Sequence, residues 1–167
     1  MAKKKKISNN LLNLIAIILG LITISMIFLT NFVVSGSVTG ALDGNYTGLQ
    51  TIFGHTVKNE PILMFSFMTL LPYLLTIIAV ALLIFKMVKK PKCKILDFII
   101  SGCYVVSGIL FLLTTKFVVL SESYTNLINI ANALKTVVTS SLGYGVIIAA
   151  TSSILAGIIV LVNKFKK

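Results

Sequence analysis

Four long apolar runs, each closed at one end by lysines, constrain this chain more than any other feature. They cover residues 11–34, 62–85, 95–120 and 143–162, and each supplies the ~20 residues a helix needs to cross a ~30 Å hydrocarbon core. None carries an ionisable side chain near its centre. Asp97 and Lys116 fall within a turn or two of the ends of the third run. A charge at mid-bilayer is costly, so the pattern predicts an all-α membrane protein, a four-transmembrane-helix bundle. The charge content agrees: 11% of the residues are charged and 57% hydrophobic, whereas a soluble domain carries about 25% charged residues. The 167 residues hold four spans, outer loops over 35–61 and 121–142, and an inner loop over 86–94, forming a single transmembrane domain over 1–167.

The net charge of +11 marks membrane edges. Every basic residue is a lysine, and most fall in three clusters: Lys3, Lys4, Lys5 and Lys6; Lys86, Lys89, Lys90, Lys92 and Lys94; Lys164, Lys166 and Lys167. Each cluster abuts the end of an apolar run, which excludes a DNA-binding face. The excess of lysine places these segments in the cytoplasm, and an even number of spans puts both termini on that side. There the lysines face anionic lipid headgroups, each contributing about 1 kcal/mol near the surface. The first run is too long for a cleaved signal segment, whose apolar part spans about 7–15 residues, so an uncleaved anchor is expected. Absence of arginine and tryptophan beside abundant Ile, Lys and Asn is the codon signature of an AT-rich bacterial genome.

Local signals punctuate the runs. Asn59-Glu60-Pro61 predicts the start of the second span, since a first-turn proline forfeits no helix bond. Pro72 then falls mid-span, where it frees the carbonyl of Met68 and kinks the helix. Pro91 breaks the inner turn. In the first outer loop, Tyr46, Leu49, Ile52 and Phe53 recur at helical spacing between Asn45, a candidate N-cap, and Gly54, a candidate C-cap. A short interfacial helix with its apolar side on the membrane is expected; a β-hairpin through Thr47, Thr51, Ile52 and Val57 is the alternative. Either way Tyr46, Leu49, Ile52 and Phe53 are the candidate outer-loop contact. In the second outer loop, Leu127, Ile130, Ala131, Leu134 and Val138 form an amphipathic stripe, either a surface helix or an extension of span four. Gly143-Tyr144-Gly145 favours a break between the two. A weak twofold repeat, with both halves starting inside, runs through the whole chain.

Gly145, Ala149, Ser153 and Gly157 recur every four residues in the fourth run, the spacing that lets helix backbones approach closely. The expected use is packing against a helix of the same chain; a homo-oligomer or another membrane protein is the alternative. Ser101, Gly102, Ser107 and Gly108 offer a complementary surface. No catalytic set emerges. His55 stands alone, and Asp43, Glu60, Asp97 and Glu122 are dispersed, while acid–base or metal chemistry needs such groups converging. No catalytic, cofactor or metal site is expected. Asp97 is expected to pair with Lys94. Cys93 and Cys103 sit in the inner turn and the third span, too far apart along one helix for a disulfide.

Small multidrug exporters share the four-span plan but depend on a membrane-embedded Glu that this chain lacks. Claudin-like proteins share it too, with a Trp signature and a loop cysteine pair that are also lacking. The run Thr47-Gly48-Leu49-Gln50-Thr51-Ile52-Phe53-Gly54, followed by Phe65-Ser66-Phe67, resembles small integral membrane proteins of low-GC Gram-positive bacteria with no assigned role. That resemblance implies a plasma-membrane location and carries no site. The expected function is a non-enzymatic subunit, scaffold or accessory protein. The alternative is an oligomeric channel or transporter subunit, its path lined by Thr69, Thr76, Ser107, Thr114 and Ser152.

Overall fold

The computed structural model describes residues 2–36, 43–57, 60–89, 95–133 and 138–165, with the backbone alone described for 2–9 and for 132. The described residues are mostly helical, with two small sheets. Among them, three helices are long and apolar enough to cross a membrane. They are α1 (Ala2–Ser25), prolonged by a 3-10 turn at Met26–Phe28, α3 (Phe67–Lys89) and α7 (Tyr144–Phe165). A fourth apolar helix, α4 (Leu96–Leu112), has 17 residues, roughly 25 Å at 1.5 Å per residue. The four-residue α5 (Thr114–Phe117) follows it.

Strands β1 (Thr30–Gly36), β2 (Gly44–Thr47), β3 (His55–Val57) and β4 (Glu60–Met64), with helix α2 (Gly48–Phe53), lie between α1 and α3. Strand β5 (Val119–Leu120), helix α6 (Glu122–Ala133) and strand β6 (Val138–Leu142) lie between α5 and α7. The purely helical expectation therefore needs correction at the ends of the apolar runs. Residues 30–34 and 62–64 are apolar enough to extend a span, but they are rich in β-branched and aromatic side chains and pair as strands. Of Asn59-Glu60-Pro61, Asn59 lies outside the described residues, and Glu60 and Pro61 do not open a helix: β4 begins at Glu60, and α3 begins at Phe67. Pro72 consequently sits in the second turn of α3 rather than at mid-span. Its carbonyl accepts hydrogen bonds from Thr76 Oγ1 (3.0 Å) and Ser107 Oγ (2.7 Å).

The chain forms two compact units. One comprises residues 1–25, 71–110 and 149–167; the other comprises 26–70 and 111–148. The first is helical. Ala16, Ala79, Val80, Leu83, Ile100, Tyr104, Ala156 and Val160 make its core, so α1, α3, α4 and α7 all contribute. Its hydroxyls and amides bond across helices. Thr23 and Ser152 share a hydrogen bond (2.8 Å), and Asn163 Nδ2 donates to Asn13 Oδ1 (2.6 Å). Ser101 Oγ donates to the Gly157 carbonyl (2.9 Å), and Ser153 Oγ to the Tyr104 carbonyl (2.8 Å). As one partner number rises the other falls, so α7 runs antiparallel to both α1 and α4.

The same contacts bring the lysine-bearing helix ends together. Asn13 meets Asn163, Lys164 Nζ lies 2.9 Å from the centre of the Phe98 ring, and Lys86 forms an ion pair with Asp97. The start of α1, the end of α3, the start of α4 and the end of α7 therefore share one end of this unit. Asp97 pairs with Lys86 on α3; Lys94, its expected partner, lies outside the described residues. Lys86 and Lys164 are engaged with protein groups, while Lys89 is exposed. Lys90, Lys92, Lys166 and Lys167 lie outside the described residues, as do the side chains of Lys3, Lys4, Lys5 and Lys6.

Close approach explains the glycines. A Cβ on Gly108 would stand 2.5 Å from Ile154 Cγ1 and 3.1 Å from the Ala150 carbonyl oxygen. On Gly157 it would stand 2.8 Å from Val105 Cγ2 and 3.1 Å from the Ser101 carbonyl oxygen. On Gly20 it would meet Val80 and the Tyr104 hydroxyl. Gly102 differs: nothing lies within 4 Å. Gly108→Leu should therefore destabilise the protein by about 1–3 kcal/mol through overpacking. Gly102→Ala should be neutral or stabilise it by up to about 1 kcal/mol through helix propensity. Thermal unfolding of the purified variants in detergent checks both.

Candidate functional site

The second unit carries the features most able to meet another molecule. Its two sheets are antiparallel, in strand order β2-β1-β6 and β3-β4-β5. Phe32 and Val34 of β1, Tyr46 of β2 and Leu63 of β4 form one core, with Leu120 of β5 and Val138 of β6 packed on it. Every sheet thus joins segments from both halves of the chain: β1 pairs with β6, and β4 with β5.

Helix α2 is built by local rules. Thr47 is its N-cap in a capping box: the Thr47 N–H donates to Gln50 Oε1 (2.9 Å), and the Gln50 N–H donates to Thr47 Oγ1 (3.4 Å). The Thr-x-x-Gln spacing is the sequence signature of that box, and it outranks Asn45, which lies in β2. Gly54 ends the helix with φ +92°, where a Cβ would stand 2.7 Å from the Leu63 carbonyl oxygen. The segment is thus the expected short helix, flanked by strands of two different sheets; the alternative hairpin does not form, since Thr51 and Ile52 are helical and β2 does not pair with β3. Its faces are not as expected. Tyr46 and Ile52 are buried, at 5% and 0% exposure, and only Leu49 and Phe53, at 36% and 64%, reach the surface. Ile52 turns inward because α2 packs against β1 and β4.

Helix α6 is a surface helix, separated from α7 by β6 and Gly143. Its expected apolar stripe divides. Leu127 and Ile130 are exposed and Ala131 is half-buried; Val138 belongs to β6, and Leu134 lies outside the described residues. Tyr124, outside that stripe, is buried. Burial, and next its hydrogen bond to Tyr46, pushes the Tyr124 phenol up from its ordinary value, so the hydroxyl stays protonated. Beside α6 runs a largely apolar groove of about 440 Å³, lined by Val57, Pro61, Ile62, Tyr124 and Leu127 together with Glu60 and Ser123.

The remaining candidate residues are used internally. Of the small-residue stripe, Gly145 packs against Thr30 and Asn31 of β1, Gly157 packs against α4, and Ser153 bonds to it. Ala149 is fully buried. Of the complementary surface on α4, Ser101 and Gly108 face α7, Ser107 faces α3, and Gly102 faces neither. The five hydroxyls considered as a transport path are buried and bonded. Thr69 donates to the carbonyls of Thr51 and Ser66, Thr114 to that of Phe111, and Thr76 pairs with Ser107. Ser152 pairs with Thr23.

His55 Nδ1 lies 3.3 Å from Gln50 Nε2, and its ring meets Tyr46 edge-on. Among the described residues, no three His, Cys, Asp or Glu side chains come together where they would hold a metal ion. Cys103 is a free thiol, and Cys93 lies outside the described residues. Sequence reasoning missed Gly20, the Asn13–Asn163 pair and the Thr47 cap; the last of these was legible in its spacing. No protein-family model, curated protein or solved structure matches this chain.

The caps of α2 carry measurable weight. Thr47→Ala should cost about 1 kcal/mol. Gly54→Ala should cost roughly 1–3 kcal/mol through left-handed strain. Limited proteolysis between residues 44 and 57 should speed up in both variants; unchanged cleavage would mean that α2 is not held as described.

Proposed function

We propose that this is a four-span protein of a bacterial plasma membrane, with both termini cytoplasmic and the sheet-bearing unit outside. It acts without catalysis, as a subunit, scaffold or accessory factor. Its outer unit associates with a partner through the groove beside α6. The observation that carries this reading is the contrast between the two units. The helical unit spends its small-residue faces and hydroxyls on its own helices, whereas the sheet-bearing unit leaves Leu127 and Ile130 exposed next to an apolar groove. The convergence of lysine-bearing helix ends in the helical unit supports the orientation, because positive charge is retained on the cytoplasmic side. The Asp97–Lys86 pair supports a span assignment for α3 and α4, since two opposite charges at these helix ends offset each other.

The partner this groove fits presents apolar side chains and a cation for Glu60, the one charged residue lining it among the described residues. An outer segment of another membrane protein has that chemistry. A channel or transporter subunit is less well supported, because the hydroxyls within the spans already have protein partners.

A photo-crosslinking residue at position 127 should give one discrete adduct in living cells, and Ile130→Lys should abolish it. The same residue at position 102, exposed on α4, should crosslink lipid alone. Absence of any adduct at 127, or solute flux through the purified protein in liposomes above that of empty vesicles, would refute the reading.

A further inference from the structure

Helix α2 is fastened at both ends to the termini of apolar helices. The Gly48 N–H donates to the Leu29 carbonyl (3.2 Å), one residue past the 3-10 turn that ends the first apolar helix. At the other end, the Ser66 N–H donates to the Ile52 carbonyl (2.9 Å), one residue before α3 begins. Thr69 Oγ1, in the first turn of α3, donates to the Thr51 carbonyl (3.0 Å). The helix also packs against the Met26–Phe28 turn itself. It is thereby tied to the ends of both helices.

On its open side α2 is apolar. Leu49 and Phe53 are one turn apart and share a face. The Phe53 ring lies 6.5 Å from that of Phe65, and both rings are more than half exposed. Phe65 continues directly into Phe67 and Met68, the exposed first residues of α3. The cleft beside these rings is lined by His55, Thr56, Pro61, Leu63 and Met64, and among the described residues no carboxylate or ammonium group lines it. Lys116 is exposed on α5, and α5 is tied to the same level because Ser66 Oγ donates to the Phe117 carbonyl (2.6 Å). Exposed aromatic rings together with a lysine at the ends of apolar helices are the side-chain set of a membrane interface, where ammonium groups reach headgroups and rings lie below them.

We infer that Leu49, Phe53 and Phe65 form a lipid-facing clasp that seats in the outer-leaflet interface of a phospholipid bilayer, between the ends of the first and second spans. The clasp rests on the proposed membrane orientation but not on any partner at the groove. It differs from a free amphipathic helix, because the hydrogen bonds to Leu29 and Ser66 fix its depth rather than its own hydrophobicity.

The chain has no tryptophan, so a single introduced indole reports without background. Phe53→Trp, Phe65→Trp and Leu127→Trp are each made in the full chain and reconstituted in phosphatidylcholine–phosphatidylglycerol vesicles, with and without bromine near the headgroup end of the acyl chains. The indole at 53 should emit to the blue and lose most of its emission to brominated lipid but little to acrylamide. The indole at 127 should do the reverse. Phe65→Trp repeats the test should the first variant fail to reconstitute. An indole at 53 and 65 as open to acrylamide as that at 127, or one shielded from acrylamide and brominated lipid alike, would overturn the clasp, the latter because protein would then be covering it. Adduct loss at the groove with the clasp intact would sink the partner reading alone.

Discussion

Polar groups buried where water cannot reach must find partners on neighbouring helices, and the helical unit depends on that constraint. Serine, threonine and asparagine side chains interrupt the apolar faces of α1, α3, α4 and α7. Each inter-helix bond is worth little by itself, about 0.6 kcal/mol on average between membrane helices, but leaving the groups unpaired is costly. The pairs therefore select one register. Ser101 reaches the Gly157 carbonyl and Ser153 reaches the Tyr104 carbonyl only when α4 and α7 are antiparallel and nearly touching. Gly108 and Gly157 then have to be glycines, because a side chain at either would meet the opposite backbone. Steric and hydrogen-bonding requirements thus converge on the same pair of helices.

A comparable rule governs the other unit. Its strands lie next to apolar helices in the chain: β1 follows the first, β4 leads into α3, and β6 leads into α7. Pairing β1 with β6 and β4 with β5 joins the first half of the chain to the second. Gly143 serves that junction. Its N–H donates to the Asn31 carbonyl (2.9 Å), and a side chain there would collide with Thr30. Small residues at the start of α7 thereby face a strand, whereas those further along face a helix.

Much of this was legible in the sequence, and the omissions share a cause. Hydropathy located all four apolar helices, and charge identified the helix ends that share one side of the helical unit. Hydropathy could not separate Phe32, Val33 and Val34 from the helix before them, because apolar β-branched residues suit a buried strand as well as a span. The same ambiguity carried Ile62, Leu63 and Met64 into the second span and displaced Pro72 from the second turn to mid-helix. The Thr47-x-x-Gln50 pattern and Gly54 bounded α2 correctly once read as a capping box and a left-handed cap. Which face α2 buries was not legible, since Tyr46 and Ile52 are covered by strands distant in sequence. Of the candidate site, Leu127 and Ile130 were visible as part of a stripe, but the groove required β3 and β4 to be placed beside α6.

The proposed association through α6 and seating of α2 in the lipid both rest on which side of the membrane each unit occupies. Site-specific labelling in cells tests that directly. In a variant without Cys93 and Cys103, a single cysteine is placed at Glu122 on α6 or at Lys89 at the end of α3, both exposed. A membrane-impermeant maleimide should label position 122 in intact cells and position 89 only after the membrane is opened. Labelling of position 89 in intact cells, or protection of 122 until lysis, would contradict the account.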